Sequence, residues 1–299
     1  MTSDRIHVKS VLVATDLSPG AANALARSVL LPFEHGATLW LVHVLPESLP
    51  DKYAEAVRDK AGAALRNEAA ALRRMAEERG TDGPGIECAL LTGKPHVEII
   101  RHARAHAADL VVVGRHGRQA VGDTLVGSTA ERVIRKGDVP VLVVKQEAKG
   151  PYRRALVAID LTDTSRREAD LALALLPEAA REIALVHAYH VAFENWFSEG
   201  SLEGYRREHV EHARQTATRL AALLGSEGVD CRVSVHEGDP RVVVLREAAQ
   251  EGSDLIVLGT HGRAGLAHAL LGSVAEWLIR ASPCDVAVTR PARFTFELP

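Results

Sequence analysis

Runs of Val, Ile and Leu, four to seven residues long and nearly free of charge, recur at 11–15, 39–45, 110–114 and 141–145. They return at 155–159, 183–188, 255–259 and 286–289. Uninterrupted apolar runs of this length read as strands buried on both faces. Weaker strand patterns lie at 86–91 and 231–236. Between the strands stand stretches rich in Ala, Leu, Arg and Glu with helical spacing, at 21–35, 52–79, 96–107 and 128–136, with corresponding segments later in the chain. Strands alternating with helices predict right-handed crossovers and a parallel sheet covered by helices on both faces, five strands to each half.

The second half repeats the first. VLVATDLS (11–18) aligns with ALVAIDLT (155–162), and LWLVHV (39–44) with IALVHA (183–188), both at an offset of 144. After one inserted residue the offset is 145, and Gly93-Lys94-Pro95 matches Gly238-Asp239-Pro240. In the same register ADLVVVGRHGR (108–118) matches SDLIVLGTHGR (253–263), and LVGSTAERVIRK (125–136) matches LLGSVAEWLIRA (270–281). A register kept over that distance marks a tandem duplication. The joint falls in QEAKGP (146–151), a polar stretch with Gly and Pro, which gives domains at 1–147 and 152–299. The 299 residues agree with this division, since roughly 150 residues per domain is the usual expectation.

Lys and Arg number 36 against 39 Asp and Glu, a formal net charge of −3, with 46% hydrophobic and 25% charged residues. That balance belongs to an ordinary globular protein. It lacks the basic surplus that dominates nucleic-acid affinity. No window holds the roughly 18 apolar residues of a membrane helix. Nucleic acid and membrane are therefore not expected as partners. The stretch MTSDRIHVKSVLVATD does not read as a secretory signal, and three widely spread cysteines (Cys88, Cys231, Cys284) fit reduced thiols. A cytoplasmic location is expected.

The segment after the fourth strand of each half carries the chemistry. In the first half Gly114 and Gly117 are followed by nine residues and then Gly127-Ser128; in the second, Gly259 and Gly262 by nine residues and then Gly272-Ser273. Each Gly-Ser opens an amphipathic helix. Open parallel sheets bind ligands beyond the carboxyl ends of their strands. Glycine there lets backbone N–H groups approach a ligand, and a helix start adds unpaired amides and a positive dipole end, the ingredients of a phosphate site. The same residues also fit a plainer role, in which the glycines turn the chain and the serines cap the helices. Asp16 and Asp160 each end the first strand of their half. A carboxylate there accepts hydrogen bonds from ribose hydroxyls or an adenine amino group, or caps the following turn, and the two roles are compatible.

Taken together, strand-Asp, LVHV, G-x-P and G-x2-G-x9-G-S resemble the universal stress protein family, over about residues 7–146 and again 152–290. The resemblance implies two tandem Rossmann-like domains of the adenine-nucleotide-binding type. Each would be a five-stranded parallel sheet of order 3-2-1-4-5, and the two would pair about a two-fold axis within the chain, with further homodimerisation left open. One branch of the family binds ATP through the glycine motif. The resemblance therefore implies a stress-response regulator that binds ATP, with Mg2+ or Mn2+, and acts on a protein partner not identified by sequence. Carried across, Asp16 would stand near the ribose and Val44 at the end of the second strand, where backbone meets adenine, while Gly114, Gly117, Gly127 and Ser128 hold phosphates. The second site would use Asp160, Ala188, Gly259, Gly262, Gly272 and Ser273. Arg118 and Arg263 would add charge-assisted contacts to phosphate. The halves differ at Thr129 against Val274, Val44 against Ala188 and Pro140 against Asp285, and Asp163 makes the turn DLTDTS more acidic than DLSPGA. These differences favour the first site.

No G-x4-G-K-[ST] loop, G-x-G-x-x-G fingerprint, H-E-x-x-H or G-x-S-x-G occurs in the sequence. The chain offers a cradle without a recognisable catalyst, so a binder with at most weak ATPase activity is expected. Two rival readings remain. One is a slow ATP hydrolase or nucleotidyl-transfer enzyme. The other is a scaffold that takes a hydrophobic ligand or partner through residues 189–205, which hold Tyr189, Phe193, Trp196, Phe197 and Tyr205. His102 and His106 stand four apart on one predicted helix, and His209 and His212 three apart on another. Such pairs fit a solvated face better than zinc, which wants three or four convergent ligands. His116 and His261 lie inside the glycine segments, where they either touch phosphate or fill a turn. The tail PARFTFELP, with Phe294 and Phe296, reads as a short added strand or a frayed end.

Overall fold

A computed structural model of the chain describes residues 6–79, 83–115, 127–162, 164–180, 182–190, 199–260 and 271–290. The first half runs β1 (Ser10–Ala14), α1 (Ala22–Ser28), β2 (Thr38–Leu45), α2 (Asp51–Glu77), β3 (Gly85–Thr92), α3 (Pro95–Ala105), β4 (Leu110–Gly114), α4 (Ser128–Lys136) and β5 (Val141–Val144). The second half repeats it as β6 (Arg154–Ala158), α5 (Ser165–Leu175), β7 (Glu182–Tyr189), α6 (Glu199–Gly225), β8 (Asp230–Glu237), α7 (Pro240–Glu251), β9 (Leu255–Gly259), α8 (Ser273–Ala281) and β10 (Asp285–Thr289). Every strand and helix expected from the apolar pattern is present, and α1 differs most in extent. The helical spacing over 21–35 yields a 3-10 turn at Pro19–Ala21 and a helix that stops at Ser28. Pro32 explains the early end, because it lacks an N–H and disfavours helical backbone at Leu31.

All ten strands form one sheet of order β3-β2-β1-β4-β5-β10-β9-β6-β7-β8. Within each half the pairs are parallel and the order is 3-2-1-4-5. Successive residues of β1 serve opposite faces, as strand geometry requires. Val11 and Val13 join a core with Leu25 of α1, Leu65 of α2, Leu171 of α5 and Ala217 of α6. Leu12 joins the other core with Ile99 of α3, Val133 of α4, Val243 of α7 and Leu278 of α8. Among the described residues no helix is long and apolar enough to cross a membrane.

The seam between halves is the antiparallel pair β5–β10, with Leu142 opposite Ala287, Val143 opposite Val286 and Val141 opposite Val288. Leu142 and Ala287 are equivalents at offset 145, so a pseudo-two-fold axis passes between them. Contacts around the axis obey it. Glu131 and Arg135 of α4 are the counterparts of Glu276 and Arg280 of α8. Arg135 reaches both Glu131 and Glu276, while Arg280 reaches both Glu276 and Glu131. Lys145 donates to the carbonyls of Leu278 and Ser282 at the end of α8, and its counterpart Arg290 donates to the Ile134 carbonyl of α4. Cations at helix carboxyl ends oppose the negative end of the dipole. Burial pushes the Lys145 ammonium down to about 8 and the Arg290 guanidinium to about 10.

One cluster breaks the symmetry. Asp285 accepts from the Tyr152 hydroxyl at 2.5 Å and from the backbone amides of Lys145 and Gln146, and its Oδ2 lies 3.3 Å from Arg27 Nε. The Arg27 guanidinium stacks 4.0 Å from the Tyr152 ring centre and donates to the Gly150 carbonyl. Three buried side chains thus tie α1, the linker and β10 together. The sequence difference of Asp285 against Pro140 therefore serves the joint. It lies at the opposite end of β10 from the strand end beside the second candidate site. A separate cavity of about 320 Å³, lined in part by Val8, Phe33, Leu173 and Leu176, also lies between the halves. Removing one partner of a buried ion pair costs about 3–5 kcal/mol. Asp285→Ala is therefore expected to lower the unfolding free energy in urea by about that much, and Asp285→Asn by less.

Candidate functional site

In a sheet of order 3-2-1-4-5 the crevice opens where the strand order reverses, between β1 and β4 and again between β6 and β9. Ala14 pairs with Val42 on β2 and Val113 on β4. Continuing that register puts Asp16 level with Val44 on one side and just beyond Gly114 on the other. Ala158 pairs with Val186 and Leu258, which brings Asp160, Ala188 and Gly259 together in the same way. Because β5 and β10 are antiparallel, the two crevices open at opposite edges of the sheet.

The strand-to-helix turn is the same in both copies. Leu17 has φ 59° and Leu161 φ 62°, the left-handed region that non-glycine residues avoid. Such a residue costs on the order of 1–3 kcal/mol and persists when its surroundings over-determine it. Here the aspartates fix the turn. Asp16 Oδ1 accepts from the Ser18 amide at 3.1 Å and the Ser18 hydroxyl at 2.5 Å. Asp160 Oδ1 accepts from the Thr162 amide at 3.0 Å, the Thr162 hydroxyl at 2.6 Å and the Ser165 hydroxyl at 3.2 Å. The capping role is thus filled through one carboxylate oxygen. From β2 and β7, buried His43 and His187 donate through Nδ1 to the carbonyls of Thr15 and Ile159, both at 2.8 Å. These histidines were legible as one polar residue in each otherwise apolar LVHV or LVHA strand, but their work as braces under the aspartate turn was not.

The glycines sort into two groups. Gly93 and Gly238 of the G-x-P turns have φ 153° and 144°, so the backbone requires glycine there. Gly127 has φ −58° and ψ 140°, and Gly272 φ −60° and ψ 145°, values open to other residues. A side chain begun on Gly114 would meet the Gly20 carbonyl at 3.4 Å, an ordinary contact. Turning the chain does not explain these glycines. Gly127 and Gly272 are themselves the N-cap residues of α4 and α8, and among the described residues no side chain caps either helix. The alternative in which the serines are the caps does not hold: Ser128 and Ser273 are the first helical residues, and both are exposed. Helix starts of this kind, with glycine at the N-cap, leave their first amides to be met by something other than the cap residue's side chain. Backbone bonds pin the two ends of each glycine segment together, Gly127 to the Arg115 carbonyl and Gly272 to the Thr260 carbonyl, both at 2.8 Å. Gly117, Arg118, His116, Gly262, Arg263, His261 and Asp163 lie outside the described residues.

Each crevice also holds a second carboxyl that the sequence did not single out, and the two come from different helices. Glu68 of α2 sits by Thr15 and Asp16, and burial, opposed by a hydrogen bond from Thr15, pushes its carboxyl up. In the second half the acid is Glu168 of α5, and burial with the nearby Asp160 charge pushes it up to about 8.

Of the histidine pairs, His102 and His106 pack against Trp40, His102 edge-on, their ring centres 4.2 Å from one another and 5.4 and 3.8 Å from the indole. His209 packs against Tyr189 and Tyr205 at 4.8 and 5.9 Å. Among the described residues no group of three or more His, Cys, Asp or Glu side chains converges as a metal site. Phe193, Trp196, Phe197, Phe294 and Phe296 lie outside the described residues.

A model of the universal stress protein family matches residues 7–145 and 151–290. The chain belongs to that family and carries its domain twice. It is 28% identical to universal stress protein E of Photorhabdus laumondii over 213 residues, 67% of either chain. It is 34% identical over 138 residues to a universal stress protein of Thermus aquaticus, covering 46% of this chain and 98% of that one. The crystal structure of a universal stress protein from Archaeoglobus fulgidus shares the fold, with a TM-score of 0.69, 23% identity and coverage of 95% of this chain and 98% of that one.

The buried acid sets a pH dependence of stability. With its folded value near 8 and an ordinary value of 4.5, Glu168 stays protonated in the folded chain while the unfolded chain ionises. Its cost is absent below the ordinary value, grows as pH rises between the two, and is complete above the folded value. Glu168→Gln is expected to raise the urea midpoint at pH 9 and leave it nearly unchanged at pH 4.

Proposed function

We propose that the chain is a stress-response regulator that binds an adenine nucleotide, ATP with Mg2+ or Mn2+, at the crevices between β1 and β4 and between β6 and β9. The observation that carries this reading is the duplicated helix start. Amides with no side-chain cap among the described residues, a positive dipole end and conformationally unforced glycines meet at the point where an open α/β sheet receives ligands. Phosphate oxygens accept from the amides of Ser128 and Thr129 in one site, and of Ser273 and Val274 in the other. The Ser128 and Ser273 hydroxyls add a donor, and Arg118 and Arg263 supply charge. Asp16 and Asp160 keep one carboxylate oxygen for their turns and turn the other to the ribose. Val44 and Ala188 present backbone to the adenine. The metal, when bound with the nucleotide, offsets phosphate charge that the neighbouring carboxyls would otherwise repel.

The test is substitution where the backbone permits it. Gly127→Val and Gly272→Val place branched carbons beside the phosphate amides, at dihedral angles valine adopts without strain. Each variant is expected to keep its thermal midpoint within a few degrees. Each should lose ATP affinity at its own site about 100-fold, the loss of roughly two charge-assisted hydrogen bonds. Unchanged calorimetric affinity in the double variant would overturn the reading.

A further inference from the structure

The two crevices take their second carboxyl from different helices, and of the two Glu168 is the fully buried one. Glu168 in α5 occupies the place of Ala24 in α1, at the repeat offset of 144. Ala24 Cβ lies 3.8 Å from where a side chain on Gly114 would start, and α5 packs on β9, which ends in Gly259. Glu168 thus belongs to the floor beneath the second crevice. It is 1% exposed, and among the described residues its Oε2 has no hydrogen-bond partner. Thr164, one turn earlier, donates to the carboxyl, and Asp160 at the crevice rim is the nearby charge. Among the described residues, the strands packed against α5 supply no compensating cation. β9 carries no ionisable residue; Arg154 of β6 stands at the far end of its strand, bonded to the Glu251 carbonyl. Asp285 of β10 is likewise at the far end, held by Tyr152 and Arg27, and Arg290 beyond β10 donates to Ile134. On α5 itself Arg166 is tied to Asp170 and Glu227, and Arg167, next to Glu168 in sequence, is partly exposed while Glu168 is buried.

Resting on the nucleotide reading above, we propose that polyphosphate binding in the second half is coupled to a proton held on Glu168, a linkage the first half lacks at the position of Ala24. A polyanion seated over Asp160 and Glu168 is compatible with a neutral Glu168 carboxyl and opposed by its anion. The bound state keeps the proton, whereas the free state releases it as pH rises past about 8. Affinity at the second site therefore falls with pH above that point, by at most about tenfold per unit for one proton.

The experiment isolates the second site with Gly127→Val and titrates ATP by calorimetry at pH 7.5 and 9.0, in two buffers of different ionisation heat. With Glu168 present, affinity should drop about eightfold more between the two pH values than in the Glu168→Gln background. Most of one proton should be taken up per ATP at the higher pH, and this uptake should vanish with Glu168→Gln. Glu168→Ala, which installs the residue of the first half, should behave like Glu168→Gln and guards against a folding defect in either variant. Equal pH profiles with and without Glu168, or no difference in proton uptake, overturn the proposal. So does a Gly127→Val chain that binds no ATP at pH 7.5 while the unsubstituted chain binds one. Failure of the unsubstituted chain to bind ATP at all overturns the nucleotide reading itself.

Discussion

Antiparallel pairing of β5 with β10, Leu142 against Ala287, gives the molecule its form. A five-stranded parallel sheet leaves an unpaired edge at its last strand, and a buried edge with open N–H and C=O groups is costly. Duplication supplies an identical edge, and the two close on each other about a local axis. The ion pairs of α4 with α8, and the reach of Lys145 and Arg290 into opposite helix ends, stem from that axis. The clamp of Arg27, Tyr152 and Asp285 departs from it. It fits the linker, which a two-fold axis cannot duplicate.

The same pairing sets the two crevices at opposite edges of the sheet, so each is assembled within its own half. Each half repeats the same strand-to-helix scaffold around its crevice. The aspartate turn is strained at Leu17 and Leu161 and braced from below by His43 and His187. Pinning of Arg115 to Gly127, and of Thr260 to Gly272, holds the start of each glycine segment against the start of the next helix. Preorganisation of this sort spares a ligand the cost of ordering the backbone amides that receive it.

Most of the architecture was legible in the sequence because the strands are buried on both faces and the repeat fixes their register. The early end of α1 was hidden behind a helical spacing that Pro32 interrupts. Asp16, Asp160, Gly127 and Gly272 could be placed at strand ends and helix starts from the sequence. Their meaning was not legible, because sequence cannot separate a glycine needed for positive φ, as at Gly93, from one that is conformationally free, as at Gly127. Asp285 stands out in the sequence as a difference between halves, yet its part in the joint depends on Arg27 and Tyr152, far away along the chain. Glu68 and Glu168 are harder to read because each arises from a different helix and breaks the repeat. An acid within an apolar helix face, opposite Ala24, was the available clue to Glu168.

Diffraction from crystals grown with ATP and Mg2+ would show the cradle at work or idle. Phosphate oxygens are expected within hydrogen-bond distance of the Ser128 and Thr129 amides, with the ribose at Asp16 and the adenine against Val44. A protein side chain capping those amides, or nucleotide bound elsewhere on the molecule, would refute the assignment of these helix starts to phosphate.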